Sequence, residues 1–176
     1  PTLREVVRMT YAMVDLYCAS YPHPPVAVIL DIDDTVDVVH GHQQLSLFNG
    51  HHDERCFLPI HVYDTATSRP VAVLLRTGKT PSGIEIRGHV RRLVRRIRRH
   101  WPNTRITIRG DSHYGRPEVM AWCEANDVDY VLGLPGNAVL SRLVEAAADD
   151  VRVRRAAAEA PVVRRYTETA YGAKSW

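Results

Sequence analysis

At 176 residues, with 45% hydrophobic and 24% charged side chains, the chain is long enough for one domain with a real core and too short for two ordinary ones. A net charge of only +3 excludes a polycation, and the absence of both an apolar stretch of roughly 18 residues and a signal-peptide pattern argues for a cytoplasmic protein with no membrane partner. Three scattered cysteines, Cys18, Cys56 and Cys123, show neither C-x-x-C nor ligand spacing, which excludes a disulfide framework and a zinc site.

The opening segment carries Thr2 and Glu5 at capping-box spacing, followed by Val6, Val7, Met13, Val14 and Tyr17 on one helical face, so a helix is predicted up to the Pro-rich break at 20–25. "VAVILDID" is a continuous β-branched run and predicts a central strand buried on both faces. The next stretch, "HGHQQLSLFNGHHDER", reads as a polar, turn-prone loop. "CFLPIHVYD" and "PVAVLLRTG" then read as two strands of an antiparallel hairpin, because the gap "TATSR" is too short for a parallel crossover.

Over 82–100, Ile86, Val90, Leu93, Val94, Ile97 and Trp101 recur at helical spacing, opposite a face of Arg91, Arg92, Arg95, Arg96, Arg98 and Arg99. That face is read as solvated, acting on a polyanion by long-range attraction that salt would screen. Lys79 and Lys174 are the only lysines, and arginine suits bidentate phosphate contacts. "TRITIRGD" alternates like a strand, "RPEVMAWCEAN" follows as a helix with Pro117 in its first turn, and "DYVLGL" is another strand. An Ala-rich helix after Asn137 and a last strand-like piece, "PVVRRYTETAY", complete the chain. No repeat, low-complexity segment or linker interrupts it.

The residues that demand chemistry are the aspartates of "LDIDDTVD". Asp31 and Asp33 share a face of the predicted strand while Asp34 points to the other. An acid on a central strand carries a desolvation cost unless it is paired or metal-bound, whereas Asp34 and Asp37 suit an ordinary turn. The histidines His40, His42, His51 and His52 fit no recognised ligand spacing and read as polar loop residues. His113 and Tyr114 lie close to Asp111 in sequence, where a phosphate or an unstacked base is a conceivable contact.

Two families carry these residues. The D-x-D-x-T of Asp31, Asp33 and Thr35 with "RGDS" at 109–112 resembles the haloacid-dehalogenase-type phosphatases, which would make Asp31 the nucleophile and Asp33 the general acid/base. The second resemblance covers nearly the whole chain. A D-x-T (Asp33, Asp34, Thr35), an HG-x-Q (His40, Gly41, Gln43), an R-G-D-S (Asp111), the "WCEAN" helix, a G-L-x-x-N (Gly133, Leu134, Asn137) and "YGAKSW" occur in the order found in DDE transposases of bacterial insertion sequences.

This second resemblance implies a ribonuclease H-like α/β fold: a mixed sheet of three antiparallel strands followed by parallel strands, flanked by helices. It implies Asp33 and Asp111 as catalytic metal ligands with Asp31 as a second ligand or neighbour, and Mg²⁺, with Mn²⁺ as substitute, in a two-metal site. Such a pair of ions, about 3.5–4 Å apart, activates a water or 3′-hydroxyl and stabilises the departing 3′-oxygen. The partner would be DNA, at transposon ends and target, with His40, Gln43, His113 and Arg116 as candidate contacts and a homo-oligomer in the intact protein. The expected activity is cleavage at transposon ends and 3′-end strand transfer.

The family's third acid, a glutamate, is expected beyond Trp176, since Glu145, Glu159 and Glu168 lie in other contexts, and an end-recognition region is expected ahead of Pro1. The chain is therefore expected to be a partial catalytic domain, inactive by itself. Besides the phosphatase, the rival reading is a non-catalytic remnant that binds DNA or oligomerises without chemistry.

Overall fold

The structure is a computed structural model that describes residues 2–158 and 162–172. Glu159, Pro161 and most of "YGAKSW" lie outside the described residues. The chain divides into two compact units, Pro1–Leu134 and Pro135–Trp176.

The first unit opens with α1 (Leu3–Ala19), started by the predicted capping box: Glu5 N donates to the Thr2 hydroxyl at 3.4 Å and Thr2 N to the Glu5 carboxylate at 2.6 Å. β1 (Ala27–Asp34) follows, then three short strands, β2 (Asp37–Val38), β3 (Leu47–Asn49) and β4 (Glu54–Phe57). The hairpin is β5 (Ile60–Asp64) and β6 (Pro70–Leu74). After it come α2 (Gly83–His100), β7 (Arg105–Gly110), α3 (Pro117–Glu124) and β8 (Asp129–Leu132).

The main sheet runs β6-β5-β1-β7-β8. β5 pairs antiparallel with β1 and with β6, while β7 pairs parallel with β1 and β8 parallel with β7. This is the mixed sheet of a ribonuclease H-like fold. It overturns the phosphatase expectation, because a doubly wound sheet gives its first strand no antiparallel neighbour.

β1 alternates instead of being buried on both faces. Val28, Leu30 and Ile32 enter one core with Val14 and Tyr17 of α1, the apolar stripe of α2, and Val119 and Cys123 of α3. Ile29, on the other face, is 44% exposed. The strand is central in the sheet, but the three helices of this unit all bury the same face. Asp31 and Asp33 consequently reach a solvated surface.

The polar stretch after β1 is not a plain loop. β2, β4 and β3 form a separate three-stranded antiparallel sheet in the order β2-β4-β3. "CFLPIHVYD" is accordingly two strands, not one. Proline supplies no ladder N–H and breaks it at Pro59, sending β4 to the small sheet and β5 to the large one. Asn49 Nδ2 holds the insert to the loop after β6 by donating to Gly78 O at 2.7 Å. Arg76, buried at the same junction, donates to Glu85 at 2.8–2.9 Å, to Leu58 O at 3.3 Å and to Lys79 O at 3.1 Å.

Asp15 of α1 receives Arg96 and His100 of α2, the latter at 2.8 Å. The Arg96 hydrogen bonds, outweighing partial burial and aided by His100, lower the Asp15 pKa to about 2. A depressed carboxylate pKa contributes stability above its unfolded value near 4 and loses it as pH falls toward 2. Asp15→Asn is thus expected to lower the melting temperature at pH 7 and to converge on the parent by pH 2, as a pair of thermal melts would show. Equal penalties at the two pH values would refute this.

The second unit contains α4 (Ala138–Ala157), capped by Asn137, whose Oδ1 accepts from Val139 N and Leu140 N at 3.0 Å. Asp150 of α4 pairs with Arg154 at 3.0 Å and Arg165 at 2.7 Å. The strand expected over 161–171 does not form: residues 162–171 are irregular. Among the described residues of this unit there is no strand whose edge their β-branched residues could pair with. Among the described residues no helix is long and apolar enough to cross a membrane.

Candidate active site

Asp33 stands near the end of β1, on its solvated face, opposite His61 of β5. β7 runs parallel to β1 with Ile32 beside Gly110 as the last paired position, so Asp111 leaves its strand next to Asp33. Two carboxylates thus emerge from the C-terminal ends of adjacent parallel strands. Asp33 Oδ1 accepts from Asp34 N at 2.8 Å, and Asp111 Oδ1 accepts from His113 N at 2.8 Å, which fixes the turn that carries it.

The electrostatics record the crowding. The Asp33 pKa is raised, first by loss of solvent around the carboxyl and then by the charges of Asp111, Asp34 and Asp31, against the opposing amide bond from Asp34. Like charges left uncompensated, with hard oxygen donors, fit a divalent cation such as Mg²⁺. Among the described residues no third His, Cys, Asp or Glu joins them in a group that could hold a metal.

Asp31 has a different environment. Arg109, its neighbour in the parallel register, donates to it through Nε at 2.9 Å and through Nη2 in a bidentate pair. Its charge is matched within the protein, which suits a structural neighbour of the acid pair better than a ligand or a nucleophile.

The Asp111 loop is held by backbone packing. A Cβ on Gly133, just after β8, would lie 2.7 Å from Ser112 N, and one on Gly115 would lie 2.4 Å from Gly133 O. Gly133 N donates to Gly110 O at 3.0 Å. The glycine of G-L-x-x-N is therefore needed because another backbone, the one bearing Asp111, touches it.

Tyr114 does not offer the outward contact expected of it: it is 1% exposed and belongs to the core. Its hydroxyl has no hydrogen-bond partner among the described residues, and burial, followed by the charges of Asp34, Asp33 and Asp111, raises its pKa. His113 is half-buried with its ring edge-on to Tyr114 at 5.5 Å. Arg116 Nε donates to His113 O at 3.0 Å, so this candidate DNA contact also braces the loop. His40 and Gln43 are exposed between β2 and β3. His51 and His52 touch each other edge-on at 4.8 Å.

One acid escaped the sequence reading. Asp64, at the end of β5, is 1% exposed and accepts from Tyr17 (3.2 Å), Tyr21, Thr67 (2.7 Å) and Ala66 N (3.0 Å). Its signal was the "DTAT" turn, whose Asp bonds its own backbone two residues on.

Residues 1–176 match the family described as Transposase DDE domain group 1. Among solved structures the chain is similar to the piggyBac transposase synaptic complex with hairpin DNA, at 14% identity and TM-score 0.52, covering 74% of this chain and 27% of that one. It is also similar to the catalytic domain of Mos1 mariner transposase, at 14% identity and TM-score 0.44, covering 89% and 81%. The chain thus spans about a quarter of the length of the piggyBac protein. No curated protein matches it in sequence.

Proposed function

Since the chain belongs to the transposase DDE domain family, we propose that it is part of the catalytic core of an insertion-sequence transposase and acts on DNA in the cytoplasm. The observation that carries this reading is the pairing of Asp33 and Asp111 at the ends of neighbouring parallel strands, with the Asp33 pKa raised first by loss of solvent and then by its acidic neighbours.

In this reading Asp33 and Asp111 hold Mg²⁺ or Mn²⁺, which when bound would activate the attacking oxygen and stabilise the leaving 3′-oxygen of a DNA strand. Asp33 and Asp111 supply the negative charge and the hard oxygens. The Asp111 turn, pinned by His113 N and by the Gly133 contact, fixes the loop that carries the second carboxylate. Asp31 sets the Arg109 side chain beside them. His40, Gln43, His113 and Arg116 are proposed to meet the DNA, in an assembly of more than one copy. The third carboxylate comes from outside this pair, so cleavage and strand transfer are expected only where it is supplied.

The test is Mn²⁺ binding followed by electron paramagnetic resonance. The parent chain should bind the ion, Asp31→Asn should retain it, and Asp33→Asn and Asp111→Asn should each lose it. Unchanged binding in the last two would sink the reading. Gly133→Val should weaken Mn²⁺ binding about tenfold or more by pushing the Asp111 loop away, although it changes no ligand. A Gly133→Val chain that is folded and binds normally would count against the loop argument.

A further inference from the structure

The arginines of α2 divide into two sets. Arg92 donates to His89, Arg96 to Asp15, and Arg98 to the carbonyls of Asn126 and Asp127 at 2.7 and 2.8 Å. These three are bound into the protein. Arg87, Arg91, Arg95 and Arg99 are all exposed, and none has a hydrogen-bond or ion-pair partner among the described residues.

The four stand at i, i+4, i+8 and i+12, so they form one ridge along the helix, inclined by about 26° to its axis. Like charges four residues apart repel and weaken a helix. The helix dipole favours cations only in the last turn, which accounts for Arg99 but not for Arg87 in the second turn. Neither helix stability nor internal pairing explains the row.

The row rises about 18 Å from Arg87 to Arg99, the axial length of about five phosphates on one strand of a duplex. Guanidinium groups suit phosphate oxygens because their donors lie in a planar fork. The apolar stripe of α2 packs on the sheet face that carries Val28, Leu30 and Ile32, whereas Asp33 rises from the opposite face. DNA lying along the row is therefore a layer of helix and sheet away from the acid pair.

We propose that Arg87, Arg91, Arg95 and Arg99 form a second DNA surface, which grips the phosphate backbone of a duplex without reading its sequence and holds DNA other than the strand being cut. The partner is double-stranded DNA. The row supplies four of the chain's phosphate contacts, and these contribute about −3.6 to the slope of log affinity against log salt.

The experiment is fluorescence anisotropy of a labelled duplex of unrelated sequence, titrated with the chain between about 50 and 200 mM salt. Divalent cation is omitted, so the acid pair takes no part and failure of one reading leaves the other in place. The parent should bind with a steep salt slope. The quadruple variant Arg87→Gln, Arg91→Gln, Arg95→Gln, Arg99→Gln should lose about three to four units of slope, and Arg91→Gln or Arg95→Gln alone about one. The single variants keep the test decisive if the quadruple one does not fold. Unchanged slopes, or a parent that binds anionic phosphatidylserine vesicles but no duplex, overturn the proposal.

Discussion

Asp33→Asn or Asp111→Asn in a complete transposase bearing this domain is expected to reduce strand transfer by about a thousandfold or more, with binding to transposon ends retained. The reasoning runs from charge. Asparagine keeps the size of the side chain but removes the anion that makes the pair attractive to a divalent cation, and the charge stabilisation such an ion supplies is worth several kcal/mol, where about 1.4 kcal/mol is tenfold in rate. Asp31→Asn should cost much less, because Asp31 already spends its charge on Arg109. A strand-transfer assay on the three variants separates the roles. Near-parent rates for Asp33→Asn, or a loss for Asp31→Asn equal to that of Asp33→Asn, would contradict the assignment.

The second large effect is on stability. Asp64→Ala is expected to lower the unfolding free energy by about 3 kcal/mol, since hydrogen bonds to a charged group are worth about 1.5–3 kcal/mol and buried donors left unpaired cost more. Tyr17 is 3% exposed and packs edge-on against Tyr21 and Trp101, so its hydroxyl has no solvent to turn to. At roughly 2–4 °C per kcal/mol for a domain of this size, the melting temperature should fall by about 6–12 °C. Burial by itself would raise the Asp64 pKa, but the bonds from Tyr21, Thr67, Ala66 and Tyr17 hold it below the usual carboxylate value. Its contribution is therefore present above about pH 4 and is lost in acid as pH falls through the depressed pKa. A urea titration at pH 7 with a loss under about 1 kcal/mol would mean that the tyrosines find other partners.

Elements whose cause is local were legible in the chain. The capping box of α1, the apolar stripe of α2, Pro117 at the head of α3 and Asn137 at the head of α4 are all short-range devices, and the four helices form where they predict. The hairpin of β5 and β6 followed from a turn too short for any other connection. The insert β2–β4 was not legible, because strands of two to four residues carrying Asp, Arg and Glu have no apolar period and exist only by pairing with one another. Residues 162–171 have the composition of a strand, but the described residues around them form no strand ladder with them.

For the candidate site, the amino-acid order alone singled out the acids: the apolar run of β1 ends in aspartates whose parity puts Asp31 and Asp33 on one face, and the order of the motifs points to one family. What only the tertiary structure decided is how those acids differ. Parallel pairing of β1 with β7 sets Arg109 beside Asp31 and Asp111 beside Asp33, neutralising one acid and crowding the other. Tyr114 turns into the core, and the placing of α1 and of the turn after α3 beside α2 binds Arg96 and Arg98 while Arg87, Arg91, Arg95 and Arg99 have no partner among the described residues. Side-chain direction follows from local periodicity, but the partner of a charge is set by which distant strand or helix comes to lie beside it, and no short-range pattern encodes that.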